Sequence, residues 1–159
     1  MPRIQHSVTI ARPPAEVFEI TNDIDNWSVL FNEYSTSKVV RREPAGRFTK
    51  LVFRLTNKEG SEWQSWRILD HEALEAIAQR EEPVYPFAYM HLRWTYEPSG
   101  GGTLMTWTQD FELDPAFDVP EATVVERMDA HGRGNQLRIK ELIESGKVEQ
   151  AAARRPTVQ

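Results

Sequence analysis

Apolar and polar residues alternate over most of the first two thirds of the chain. In residues 3–10, Ile4, His6, Val8 and Ile10 share one face, the period of two that marks a half-buried strand. Pro13 and Pro14 follow, and proline suits the first turn of a helix, so a short helix is predicted over residues 15–20. Trp27, Leu30, Phe31 and Tyr34 then fall at i, i+3, i+4 and i+7, the stripe of a second short helix. Period two returns in six segments: residues 37–42, 48–56, 62–69, 73–80, 87–97 and 103–113. Leu51, Phe53 and Leu55 share a face of one, and Trp63, Ser65, Arg67 and Leu69 a face of the next. Ala88, Met90, Leu92, Trp94 and Tyr96 alternate with Tyr89, His91, Arg93 and Thr95. Met105, Trp107, Gln109, Phe111 and Leu113 alternate with Thr106, Thr108, Asp110 and Glu112. Such alternation belongs to an antiparallel sheet with one wet and one covered face. Residues 57–60 and 98–102 have the composition of hairpin turns.

The period changes to helical after residue 118. Val125, Met128, Ile139, Leu142 and Ile143 keep helical spacing over residues 121–145. Asp118, Pro120 and Glu121 make a capped start, and Gly146 a stop. About 25 residues at 1.5 Å each span roughly 38 Å, enough to cross a sheet. The predicted fold is therefore α+β. A curved antiparallel sheet of about seven strands wraps a long C-terminal helix, and two short helices plug one end. Residues 1–147 read as one domain, and residues 148–159 as a flexible tail without apolar periodicity.

Composition narrows the chemistry. Of the 159 residues, 40% are hydrophobic and 27% charged, as in a globular domain. There is no Cys, which excludes disulfides, thiolate–zinc sites and a cysteine nucleophile. The formal net charge of -5 argues against a nucleic-acid partner held by phosphate neutralisation. No apolar run approaches a membrane span and no cationic-plus-apolar leader opens the chain, so a cytoplasmic protein with no membrane partner is expected. His6, His71, His91 and His131 lack metal-ligand spacing, and no metal is expected. No G-x-S-x-G occurs, and Gly100-Gly101-Gly102 joins two strands rather than cradling a phosphate. Arg41-Arg42 and Arg154-Arg155 read as solvated surface.

Five Trp, seven Phe and four Tyr exceed what a plain core of this size needs. Trp27, Trp63, Trp94 and Trp107 all fall on faces assigned inward, and polar residues interrupt those faces. Arg67 shares a face with Trp63, and Gln109 lies among Met105, Trp107 and Phe111. Asn135 stands between Met128 and Ile139 on the helix, with His131 one turn before it. Taken singly, each has an ordinary structural explanation: a satisfied core amide or a salt-bridged arginine. Together they suggest an aromatic cavity with a few convergent polar groups, the composition of a small-molecule site.

Several segments resemble the aromatase/cyclases of bacterial type II polyketide synthesis, closest to the single-domain tetracenomycin and spore-pigment type. They are residues 21–34 (TNDIDNW…LFNEY), Trp63-Gln-Ser-Trp-Arg67, residues 86–96 (PFAYMHLRWTY) and Trp107-Thr-Gln-Asp-Phe111. The resemblance covers about residues 3–147. It implies a helix-grip (START/Bet v 1-like) fold with an interior pocket. It implies an acyl-carrier-protein-bound poly-β-ketone supplied by a minimal polyketide synthase, first-ring aldol closure, and dehydration without a cofactor. By the same resemblance Arg67 is the central polar residue and Tyr34 a second catalytic candidate. The implied pocket residues are Trp27, Phe31, Trp63, Phe87, Trp94, Trp107, Gln109 and Asn135, and Ser65, Met90, Met128 and His131 join them as candidate substrate-binding residues. Ser61 replaces a tryptophan present in some relatives, and Gln109 and Asn135 stand where others carry a His–acid dyad. A non-catalytic carrier of apolar small molecules in the same fold is the alternative. Arg41, Arg42 and Arg47 are candidate contacts for an acidic carrier protein.

Overall fold

Residues 2–149 are described by a computed structural model of the chain. The alternating segments become β1 (Arg3–Ile10), β2 (Tyr34–Ala45), β3 (Phe48–Asn57), β4 (Glu62–Asp70), β5 (Glu75–Arg80), β6 (Phe87–Ser99) and β7 (Gly102–Leu113). They form one antiparallel sheet in the order β1-β7-β6-β5-β4-β3-β2. Between β1 and β2 lie α1 (Pro14–Thr21), a 3-10 turn (Ile24–Asn26) and α2 (Trp27–Leu30), and α3 (Glu121–Glu144) closes the fold. Helix α3 packs on β1 and touches α2, so the sheet grips it as the alternation predicted.

Four features differ from the sequence reading. The second short helix stops at Leu30. Phe31 is extended (φ -110°, ψ 128°), and Tyr34 opens β2 rather than closing a helix. Ring packing explains the misleading stripe: Trp27, Phe31 and Tyr34 contact one another across the change of backbone. In β6 a register shift between Phe87 and Tyr89 leaves Ala88 exposed and lets both Phe87 and Met90 face inward. Helix α3 takes Pro120 as its N-cap without any side-chain cap, so Asp118 and Glu121 form no capping box. The chain turns at Gly146 (φ 77°), a left-handed conformation that favours glycine, and Val148 then packs into the core at 2% exposure. Glu149 pairs with Arg12 at 2.7 Å. A tail therefore does not begin at residue 148; residues 150–159 lie outside those described.

The apolar interior falls into two clusters. The larger gathers Phe18, Leu30, Phe53, Trp94, Trp107 and Ile139; the smaller gathers Ile4, Met90, Phe111 and Val124. The gap between them is the site.

Candidate functional site

Strand register explains why a hollow forms. Across the sheet, Leu51, Arg67, Ala78, Leu92 and Gln109 lie side by side in one lateral row. At roughly 4.8 Å per strand, Arg67 on β4 and Gln109 on β7 are about 14 Å apart at the backbone. Ala78 between them is small, and α3 spans above with the flexible side chain of Met128. The next row carries Ala76, Trp94 and Trp107. Trp94 and Trp107 are direct cross-strand partners whose rings stack at 4.3 Å and 10°. The stack makes a flat wall rather than an interdigitated core.

The hollow has two lobes. One, of about 210 Å³, runs under α3 to a rim at Glu33 and His131. The other, of about 260 Å³, runs toward the β5–β6 loop. Trp27, Tyr34, Arg67, Leu92, Gln109 and Met128 line both. Each lobe alone is smaller than the roughly 300 Å³ of an ordinary ligand site, so a ligand of useful size must extend through both and pass Arg67.

Every residue proposed from sequence borders this hollow. Phe31, Trp94, Trp107, His131 and Asn135 line the first lobe; Trp63, Ser65, Phe87 and Met90 line the second; Trp27, Tyr34, Arg67, Gln109 and Met128 line both. Two differ in setting. His131 stands at the rim, its side chain 57% exposed. Asn135 donates from Nδ2 to Glu33 Oε1 at 3.3 Å, so one of its donors is engaged in holding the rim.

Arg67 is the chemical centre. It is 1% exposed, and Nε donates to Asn22 Oδ1 at 2.8 Å. Its guanidinium lies 4.1 Å from the Trp94 ring centroid and 5.1 Å from that of Trp27. No carboxylate pairs with it among the described residues, and Nη2 is buried without a partner. Burial lowers its pKa to about 10, against smaller opposing effects of Tyr96 and Tyr34, so it stays charged at neutral pH. An unsatisfied buried donor costs about 1–3 kcal/mol, and more on a charged group. Arg67 also lines both lobes, so its guanidinium stands where the hollow passes.

A hydrogen-bond chain fixes that donor. Asn22 Nδ2 donates to Phe18 O at 2.9 Å and to the Tyr96 hydroxyl at 3.1 Å, and that hydroxyl meets Thr21 Oγ1 at 2.6 Å. Sequence reasoning missed Asn22, Thr21 and Tyr96, because they lie 45, 46 and 29 residues from Arg67 and meet it only through the loop after α1. Burial also pushes the Tyr34 hydroxyl well above its ordinary value, with Glu33 adding to the shift, so Tyr34 keeps its proton throughout the neutral range.

At the rim, His131 Nε2 lies 3.0 Å from Glu33 Oε2. The hydrogen bond to Glu33 raises the His131 pKa above 6.5, against desolvation. The linkage is therefore strongest below the ordinary imidazole pKa and is lost as pH rises through the raised one. In an NMR titration His131 is expected to titrate above 6.5 and to return toward that value in Glu33→Gln; an unchanged midpoint in the variant would remove the pairing.

Of the basic residues considered for carrier docking, Arg41 already pairs with Glu43 and Arg47 with Asp70 and Glu72. Among the described residues no group of three or more His, Asp or Glu could hold a metal ion, and no helix is long and apolar enough to cross a membrane.

A sequence model described as polyketide cyclase / dehydrase and lipid transport matches residues 1–143. The chain belongs to this family. A Streptomyces cyaneus protein named as a polyketide cyclase is 35% identical over 145 residues, covering 88% of this chain and 92% of that one. An aromatase/cyclase from Streptomyces sp. R1128 superposes with a TM-score of 0.67 at 18% identity, covering 96% of this chain and 94% of that one. A START-superfamily protein from Mycobacterium smegmatis superposes at 0.66 and 18% identity, over 93% and 97%. The helix-grip fold and the polyketide cyclase membership expected from the sequence both hold.

Proposed function

We propose that this polyketide cyclase acts as a first-ring aromatase/cyclase, folding a carrier-protein-bound poly-β-ketone through the two lobes and directing one aldol closure and its dehydration. The observation that carries the reading is the unpaired Nη2 of the buried Arg67, charged at neutral pH and set among stacked indoles. Closure needs an α-carbon to lose a proton and the resulting enolate oxygen to be stabilised before that carbon attacks a second carbonyl. A fixed N–H donor in a dry site stabilises such charge far better than water does. The flat Trp94–Trp107 wall and the narrow lobes restrict how the chain bends, and holding two carbons about 3–3.5 Å apart lowers the barrier by several kcal/mol. Loss of water then needs a proton at the departing hydroxyl. Tyr34, which is protonated and lines both lobes, is proposed to give its proton to that hydroxyl and to recover one from the adjacent α-carbon as the double bond forms. Gln109, about 14 Å across the row from Arg67, orients a carbonyl farther along the chain.

The family description also names lipid transport, which favours one second reading: a carrier that binds without turnover. Adding the wild-type protein to a reconstituted minimal polyketide synthase separates the two. A shift of products toward one aromatised first ring supports the cyclase. An unchanged product mixture, with flat aromatic ligands still bound, supports the carrier.

A further inference from the structure

A second arginine reaches the same hollow. Residues Ala76, Ala78 and Arg80 alternate along β5 on the face that covers the cavity, and Arg80 lines the lobe toward the β5–β6 loop. Register places Arg80 opposite Ser65 and Arg67 opposite Ala78, which makes Arg67 and Arg80 diagonal neighbours about 7–8 Å apart. The Arg80 guanidinium lies 4.8 Å from the Trp63 ring centroid, which fixes its plane. Its Nε is buried without a hydrogen-bond partner. No carboxylate within ion-pair distance neutralises it among the described residues. Several surface arginines behave otherwise: Arg3, Arg47, Arg54 and Arg93 each meet a carboxylate.

We propose that Arg80 is a second oxyanion-recognising residue, and that Arg67 and Arg80 together hold two oxygens of one chain at separate points along the cavity. The proposal rests on the cyclase reading of this cavity and adds the ligand class: a flat or flexible chain carrying anionic or enolisable oxygens at two spaced carbons. A poly-β-ketone, with an oxygen on every second carbon, meets that requirement wherever it lies in the hollow. Arg80 would then set which carbons stand at Arg67, by anchoring the chain one lobe away. A planar guanidinium stacked on an indole presents its N–H edge in one direction, so it selects orientation as well as charge. Two unneutralised cations also disfavour a fully neutral, apolar ligand, which must leave both donors unpaired.

The test uses naphthalene-2,6-dicarboxylate and its monomethyl ester, with binding read by quenching of tryptophan fluorescence in the full-length protein. Wild type is expected to bind the dicarboxylate at least tenfold more tightly than the monoester. Arg80→Gln should abolish that preference while leaving monoester affinity within about twofold, and Arg80→Lys should restore part of it. A dicarboxylate preference that survives in Arg80→Gln, or an equal loss for both probes, would overturn the proposal. Phosphopantetheine displacing the probes from wild type but not from Arg80→Gln would assign the second point to a phosphate of the carrier arm and overturn the chain-oxygen assignment. None of these readouts needs turnover, so their outcome is separable from that of the product assay.

Discussion

Replacing Arg67 with Met is expected to lower the yield of the directed aromatic product by about 10²–10³-fold, the loss usual for one oxyanion donor. Products of undirected closure should appear in its place. The protein should still fold. Arg67 makes no ion pair among the described residues, and its partner Asn22 keeps its bonds to Phe18 O and Tyr96. Arg67→Met leaves Asn22 Oδ1 without its donor, at about 1–3 kcal/mol, but removes a buried unpaired cation, and the two effects oppose each other. Thermal unfolding should therefore stay close to wild type, and flat aromatic ligands should still quench tryptophan fluorescence. Loss of fold together with loss of product would instead make Arg67 structural. Arg67→Lys separates charge from geometry. It keeps a cation but not the planar guanidinium that lies over Trp94 and donates to Asn22, so only part of the effect should return.

Two glycines on α3 should respond to alanine with opposite signs. A β-carbon at Gly132 would sit 2.3 Å from Nε2 and 2.5 Å from Cε1 of His6. That ring has little room to retreat: its side chain is 2% exposed, and Trp107 lies edge-on at 6.3 Å. Both ring nitrogens are buried without hydrogen bonds, Asp129 Oδ1 lies 3.9 Å from Nδ1, and desolvation lowers the His6 pKa against the pull of that carboxylate. Gly132→Ala should destabilise the protein by about 1–3 kcal/mol, as overpacking does, despite the better helix propensity of alanine. At Gly134 nothing lies within 4 Å, and alanine should stabilise by up to about 1 kcal/mol. Urea melts of the two variants measure both values; a stabilising Gly132→Ala would mean that α3 does not press on His6. Because α3 roofs the cavity over β1, Gly132→Ala should also weaken ligand binding.

The sheet rows were readable from sequence where strand parity is unbroken, as along β4 and β5, and not at the Phe87–Tyr89 shift in β6. One register fixes which side chains share a face, and so Trp63, Ser65 and Arg67 could be assigned inward together. The same parity places Arg80 with Ala76 and Ala78, a signal that was present and unused. Position along a helix axis was less readable. Gln136, next to Asn135, is the polar residue that α3 buries against the sheet, its Nε2 donating to His6 O at 3.1 Å, while Asn135 faces Glu33 at the rim. An i, i+3, i+4 pattern does not choose between neighbours at the edge of the apolar stripe. The anchor of Arg67 was unreadable for a different reason. Asn22 follows α1 in an irregular turn, where no period applies and only the assembled fold decides what it touches.

The central claim is that Arg67 Nη2 waits for an oxygen of the substrate chain. Crystallising the protein with a hydrolytically stable poly-β-ketone mimic tests it most directly. The expected result is a ligand extending through both lobes with one oxygen about 2.7–3.1 Å from Nη2. A mimic bound in the hollow with Nη2 still unpaired, or bound elsewhere on the protein, would contradict it.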